Sequence, residues 1–123
     1  MARYTASMPT LTNGQVSDIQ LDANGRTMVS TSAGTYSYQH ISTATTTTVK
    51  SGAGALHSVV VNTLGTVAST TTIYDNTTGS GTVIGVINTL TLAGMFVYDV
   101  AFTVGLTIVT TGTVAPDLTV SYQ

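Results

Sequence analysis

From residue 55 onward the chain alternates apolar and polar positions with a period of two. Residues 55–63 contain the run Val59, Val60 and Val61, and 69–76 set Thr71 and Ile73 against Thr72 and Tyr74. Residues 82–88 carry Val83, Ile84, Val86 and Ile87. Residues 95–102 place Phe96, Tyr98, Val100 and Phe102 on one face and Met95, Val97, Asp99 and Ala101 on the other. Two more stretches follow at 106–110 and 118–122, the last with Leu118, Val120 and Tyr122 on one face. A period of two is the mark of a strand with one face buried, and β-branched Val, Ile and Thr fit a pleated surface better than a helix. Turn residues separate the stretches at 76–79, Ala93-Gly94, Gly105, Thr111-Gly112 and 115–117. Six short strands at this spacing predict an all-β chain, with residues 55–123 forming an antiparallel β-sandwich that is jelly-roll-like in its connections and holds no long helix.

The first half reads differently. Residues 1–30 form an extended N-terminal arm, interrupted by Pro9, Asn13 and Gly14, with Asn24-Gly25 as a type I′ turn signal for a small hairpin. Residues 31–54 are rich in Ser, Thr and Gly and read as a connection or an edge strand. In the arm, Leu11, Val16, Ile19, Leu21, Met28 and Val29 stand as single apolar pegs, too few to build a core of their own. They are the candidate partner-binding residues of an arm that orders when it docks. The competing picture packs the same pegs on the chain's own β-domain as an intramolecular strand. Tyr36 and Tyr38, in the polar middle stretch, are expected to anchor it to a neighbouring surface.

Charge changes the picture most. Only 7% of residues are charged, against about 25% in ordinary soluble domains, and there is no Glu. The charged side chains are Arg3, Asp18, Asp22, Arg26, Lys50, Asp75, Asp99 and Asp117. A free monomer normally carries a mixed, charged surface, so neighbours in an assembly are expected to cover much of this one; a weakly charged secreted domain is the plainer alternative. A homo-oligomer, a trimer above all, follows from the same reasoning. A net charge of −2 gives no footprint for nucleic acid. No stretch approaches the apolar length of a membrane span, and Met1 to Thr5 opens no apolar signal sequence. Cysteine is absent, which suits folding in a reducing cytosol.

Candidate chemistry is sparse, and the expectation is a non-enzymatic protein without metal or cofactor. His40 and His57 are the only side chains with a general base's ordinary range near neutral pH, and neither follows a nucleophile elbow. His57 reads as a sheet-surface or interface residue. The Asp22 to Gly25 segment looks like the start of a calcium loop but lacks its later ligands, so a turn is the better reading. Asp75 and Asn76, at a strand end, are expected to cap a turn rather than hold a cation. Asp75 with Asp99 is a weak candidate for a hydrolytic carboxylate pair. Thr46, Thr48, Thr70 and Thr72 give two Thr-x-Thr fragments without the periodic array that an ice-binding surface needs.

Two regions carry a resemblance. The arm, from Met8-Pro9-Thr10-Leu11-Thr12-Asn13-Gly14-Gln15 to residues 21–29 (LDANGRTMV), resembles the N-terminal region of tailed-bacteriophage virion structural proteins. Those often read Pro-Thr-Leu-x-Asp-Gly-Gln and then an apolar-Asp-x-x-Gly-Arg stretch. Residues 73–77 (IYDNT), 105–109 (GLTIV) and 117–122 (DLTVSY) resemble short β-domains of the same class of proteins. The resemblance implies a capsid decoration (cement) protein, made in the bacterial host's cytoplasm and located in the virion, with the major capsid protein or another virion protein as partner. Head-fibre and tail proteins share the style, which keeps a carbohydrate- or receptor-binding module as the alternative. The pattern implies no catalytic residues and no cofactor.

Overall fold

A computed structural model describes residues 23–25 and 35–123. The chain divides into two compact units, Met1–Ala33 and Gly34–Gln123. In the first unit only the turn at 23–25 is described, with Gly25 at φ +74°, a left-handed conformation that glycine adopts without a Cβ clash. The flanks of the expected hairpin lie outside the described residues. So do Leu11, Val16, Ile19, Leu21, Met28 and Val29.

The second unit is all β. Its strands are β1 (Ser37–Ile41), β2 (Thr46–Ser51), β3 (Gly54–Thr63), β4 (Thr71–Asp75), β5 (Thr82–Ile87), β6 (Gly94–Phe102), β7 (Gly105–Thr110) and β8 (Asp117–Tyr122). They form two four-stranded sheets, in the orders β1-β8-β3-β6 and β2-β7-β4-β5, antiparallel at every pairing. The first strand thus pairs with the last, the second with the seventh, the third with the sixth and the fourth with the fifth. This nested pairing, split between two facing sheets, is the jelly-roll connection. The antiparallel sandwich predicted from the alternation is therefore the fold, and all six strands expected after residue 55 are present. The sandwich also takes in β1 and β2, both edge strands, from the 31–54 stretch that the sequence leaves open between connection and edge strand.

Leu56, Val59 and Val61 of β3, Ile73 of β4, Phe102 of β6, Leu106 and Ile108 of β7 and Leu118 and Val120 of β8 meet between the sheets, with Ile41 and Ile87 closing the core. Tyr98 of β6 crosses toward β5, where Gly85 leaves room for it: a Cβ at Gly85 would lie 2.6 Å from the Tyr98 hydroxyl oxygen. Burial raises the Tyr98 phenol above its ordinary range.

The two ends of the sandwich are built differently. At one end the turn 103–104 between β6 and β7 is tied to β4 by Asp75. Its carboxylate accepts from the backbone N–H groups of Val104 at 2.8 Å and Thr103 at 2.9 Å, and from the Thr103 hydroxyl at 3.1 Å. Those backbone donors, Val104 first, hold the Asp75 carboxyl below the ordinary carboxylate range. Asn76 accepts from the Thr77 N–H and donates to Ser80 O, closing the loop before β5. Turn capping is thus what both residues do. At the other end lie the connections 42–45, 64–70, 88–93 and 111–116. There Val67 and Ala68 adopt φ of +40° and +57°, left-handed conformations that cost a β-branched residue in particular.

Candidate functional site

The outward face of the sheet β1-β8-β3-β6 gathers the chemistry of this chain. Antiparallel register aligns its side chains in cross-strand rows. One row runs Tyr38, Ser121, Ser58, Val97, and the next runs His40, Thr119, Val60, Met95. Partners in register point to the same side of a sheet, so these rows lie opposite the core face of Ile41, Val120 and Val59. Tyr38 is 73% exposed, and Met95 and Val97 are exposed beside it.

Irregular pairing in the middle of β3 gives this face its special feature. The register shifts between Leu56 and Ser58 against both neighbours, placing His57 opposite Tyr98 and Asp99 of β6. Asp99 takes φ +48°, the left-handed geometry of a bulge, and turns its carboxylate onto His57 with Nδ1 to Oδ1 at 2.5 Å. Tyr36 stacks on the His57 ring, with centroids 4.4 Å apart and planes 19° from parallel. The alternation expected over 95–102 holds through the bulge: Phe96, Tyr98 and Phe102 face or border the core and Val100 pairs with core Leu56, while Met95, Val97, Asp99 and Ala101 are exposed.

A second pair sits nearer the opposite end of the face. His40 Nε2 lies 2.9 Å from Asp117 Oδ2, and the Asn62 amide donates to Asp117 Oδ1 at 2.7 Å and to the Thr119 hydroxyl at 3.0 Å. The Asn62 hydrogen bond, with His40 second, lowers the Asp117 carboxyl below its ordinary range.

Of the candidate residues, Tyr36 and Tyr38 thus share one face with both histidines. Asp99, Asp117 and Asn62 join them without having been singled out for it. The pairs link positions 42 and 77 residues apart, so spacing along the chain carries no trace of them. The one local signal is Asp99, a carboxylate inside an otherwise apolar strand. Asp75 and Asp99 serve different ends, one a turn clamp and the other a histidine partner.

Chemically the arrangement presents aromatic rings beside fixed polar groups. Among the described residues neither histidine has a hydroxyl hydrogen-bond partner, and no group of three or more acidic or histidine side chains is placed to hold a metal ion. The Thr-x-Thr fragments share no ladder. Thr46 and Thr72 lie in one row of the other sheet with Val109 between them, and Thr70 bonds Thr111. Comparison with known proteins finds no family model, no curated protein and no solved structure that matches the chain.

Proposed function

We propose that the chain is a non-enzymatic structural component of a tailed-bacteriophage virion, a decoration protein that binds the outside of the head through the major capsid protein or another virion protein and stabilises the shell. The observation that carries this reading is the surface. A cysteine-free jelly roll with only eight charged residues in the chain exposes Tyr38, Met95, Val97, Val83 and Val86 on its flat faces. Such a surface is suited to cover by neighbours. The resemblance of the arm to virion proteins supports the same reading. In it the segment 1–30 supplies attachment, and the copies associate with one another, as a homotrimer. The test is co-sedimentation of the purified protein with mature heads that lack it, with and without residues 1–21. Binding by the full chain and its loss on deletion, with the sandwich still folded, is the expected result. A full chain that stays in the supernatant overturns the proposal.

The second reading, a carbohydrate-binding module of a head fibre or tail, is favoured by one feature. The Tyr36–His57 stack and exposed Tyr38 lie on one sheet face with the polar group His40, Asp117 and Asn62. Aromatic faces with adjacent planar hydrogen-bonding groups fit neutral sugar rings, and lectins use the same fold. Retention on a glycan array that Tyr38→Ala abolishes would favour it over decoration.

A further inference from the structure

Two lines of side chains run side by side along the outward face of the sheet β1-β8-β3-β6. The first is a line of flat rings. Tyr38 and His40 stand at alternate positions of β1, and Tyr36, immediately before that strand, stacks on His57 of the same face. Positions two apart on one side of a strand are about 6.6 Å apart, so the three rings mark out about 13 Å. The second is a line of hydrogen-bonding groups on β8, the neighbouring strand, about 4.8 Å away. Ser121 lies opposite Tyr38, Thr119 lies opposite His40, and Asp117 follows on the same side. Asn62 reaches this line from β3, donating to Asp117 at 2.7 Å and to Thr119 at 3.0 Å, and His40 meets Asp117 at 2.9 Å. The rings are open to solvent, Tyr38 at 73% and Tyr36 at 46% exposure.

We infer that this double line is a track for an uncharged, linear oligosaccharide, seated along β1 with successive pyranose units over Tyr36, Tyr38 and His40. The spacing selects a chain over a single unit. One sugar ring needs one platform, whereas rings at every second residue match a ligand that repeats along the strand. A pyranose carries an apolar face of C–H groups and a rim of hydroxyls, and the track sets an aromatic surface and a hydrogen-bonding surface beside each other in the same way. The charges select the class of glycan. Asp99 and Asp117 lie on this face, each paired with a histidine, while Lys50 stands on β2 in the other sheet. A chain of uronate units would meet two carboxylates with no lysine or arginine among the described residues of the face to receive it. An extended peptide is the rival occupant, and it would add to a sheet edge through main-chain hydrogen bonds. The track lies on the face instead, where the main chains of β1 and β8 already pair with each other. The inference rests on the carbohydrate-binding reading and adds the class of glycan and its path.

The test is calorimetric titration of the full chain at neutral pH with uncharged gluco-, manno- and galacto-configured oligosaccharides of increasing length, from the single unit upward, and with oligouronates of matching length. In at least one uncharged series, affinity should climb about tenfold or more from the single unit to the trisaccharide and then level off, with the matching oligouronates about tenfold weaker or more. Tyr38→Ala should abolish binding at every length, and Tyr38→Phe should keep it. Tyr36→Ala should weaken the trisaccharide and longer chains while leaving the single unit unchanged, which separates loss of a platform from loss of the fold. Val86→Ala, on the outer face of the other sheet, should change nothing. Binding that does not grow with length, or that favours the oligouronates, overturns the track and leaves the carbohydrate reading standing. So does retention on a glycan array with no binding in any of these series, whereas no binding in either assay overturns both. Head binding that Tyr38→Ala abolishes, with no glycan bound, gives the face to a shell protein and overturns the inference.

Discussion

Gly85→Ala tests the packing of one sheet on the other, because its sign depends on a residue in the opposite sheet. A Cβ at Gly85 would meet the Tyr98 hydroxyl oxygen at 2.6 Å, Cε1 at 2.8 Å and Cζ at 3.0 Å. The backbone of Gly85 is not left-handed, so alanine fits its conformation, and the ring of Tyr98 is the obstacle. Overpacking of this kind costs about 1–3 kcal/mol. For a domain of this size each kcal/mol lowers the melting temperature by roughly 4–8 °C. With Tyr98→Ala already in place the obstacle is gone. The same Gly85→Ala change should then stabilise by about 0.4–1 kcal/mol, through the reduced freedom of the unfolded chain. The two substitutions therefore couple by about 1.4–4 kcal/mol, from the middle of the range for contacting pairs to above it. Urea unfolding of the four proteins, followed by far-UV circular dichroism, measures the cycle. Equal destabilisation by Gly85→Ala in both backgrounds would refute the reasoning, since Tyr98 would then not be what fills the space.

Further outcomes follow from the core and the clamps. Phe102 is 1% exposed, and Phe102→Ala should destabilise by about 3–5 kcal/mol in the same assay. The Thr71 hydroxyl is buried with no hydrogen-bond partner, so Thr71→Val, which keeps the shape, should raise stability by about 1 kcal/mol; a fall in melting temperature would contradict this. Asp75 and Asp117 both have carboxyls lowered by folding from a reference of 3.8, so the folded state binds their protons less tightly than the unfolded state does. Their stabilisation is present above that reference and is lost as pH falls through the lowered values, and Asp75→Asn and Asp117→Asn should flatten the acid limb of a melting-temperature profile. Tyr98 runs the other way. Its phenol is raised from 10.0, so its contribution is present below that value and is lost as pH climbs past it, a loss that Tyr98→Phe should remove.

The sandwich after residue 55 was legible because each of its strands buries one face, and burial of one face writes a period of two into the sequence. β1 and β2 wrote almost nothing. As edge strands they bury little: Ile41 is the fully buried side chain of β1, and Val49 is a partly buried one of β2. The rest of β2 is Thr, Lys and Ser, which read equally well as a linker. The bulge at Asp99 was hidden for a related reason. The alternation continues through it on paper, while the extra residue in β6 shifts the register on the fold. The histidine pairs come from strand order, which brings together segments far apart in sequence. Asp75 and Asn76 are the opposite case, since a turn cap is a local arrangement and the residue types at a strand end announced it.

The nested pairing also governs the order in which this protein can come into being. Among the described strands only β4 and β5 are neighbours in both sequence and sheet. The other three nested pairs must wait, and β1 waits longest, because its partner among the described strands is β8, ending at Tyr122. At ribosomal rates the interval between synthesis of Ser37 and of Tyr122 is about 4–17 s, and β1 spends all of it without β8, while β2 and β3 wait for the earlier β7 and β6. Closing loops of this length is entropically slow, and threonine-rich strands waiting with free edges invite pairing with other nascent chains. β8 lies between β1 and β3, so a chain stopped short of it lacks more than an edge: it lacks the strand that joins β1 to the sheet. Folding of this domain thus waits for β8 to be made, and its last six-residue strand acts as the clasp.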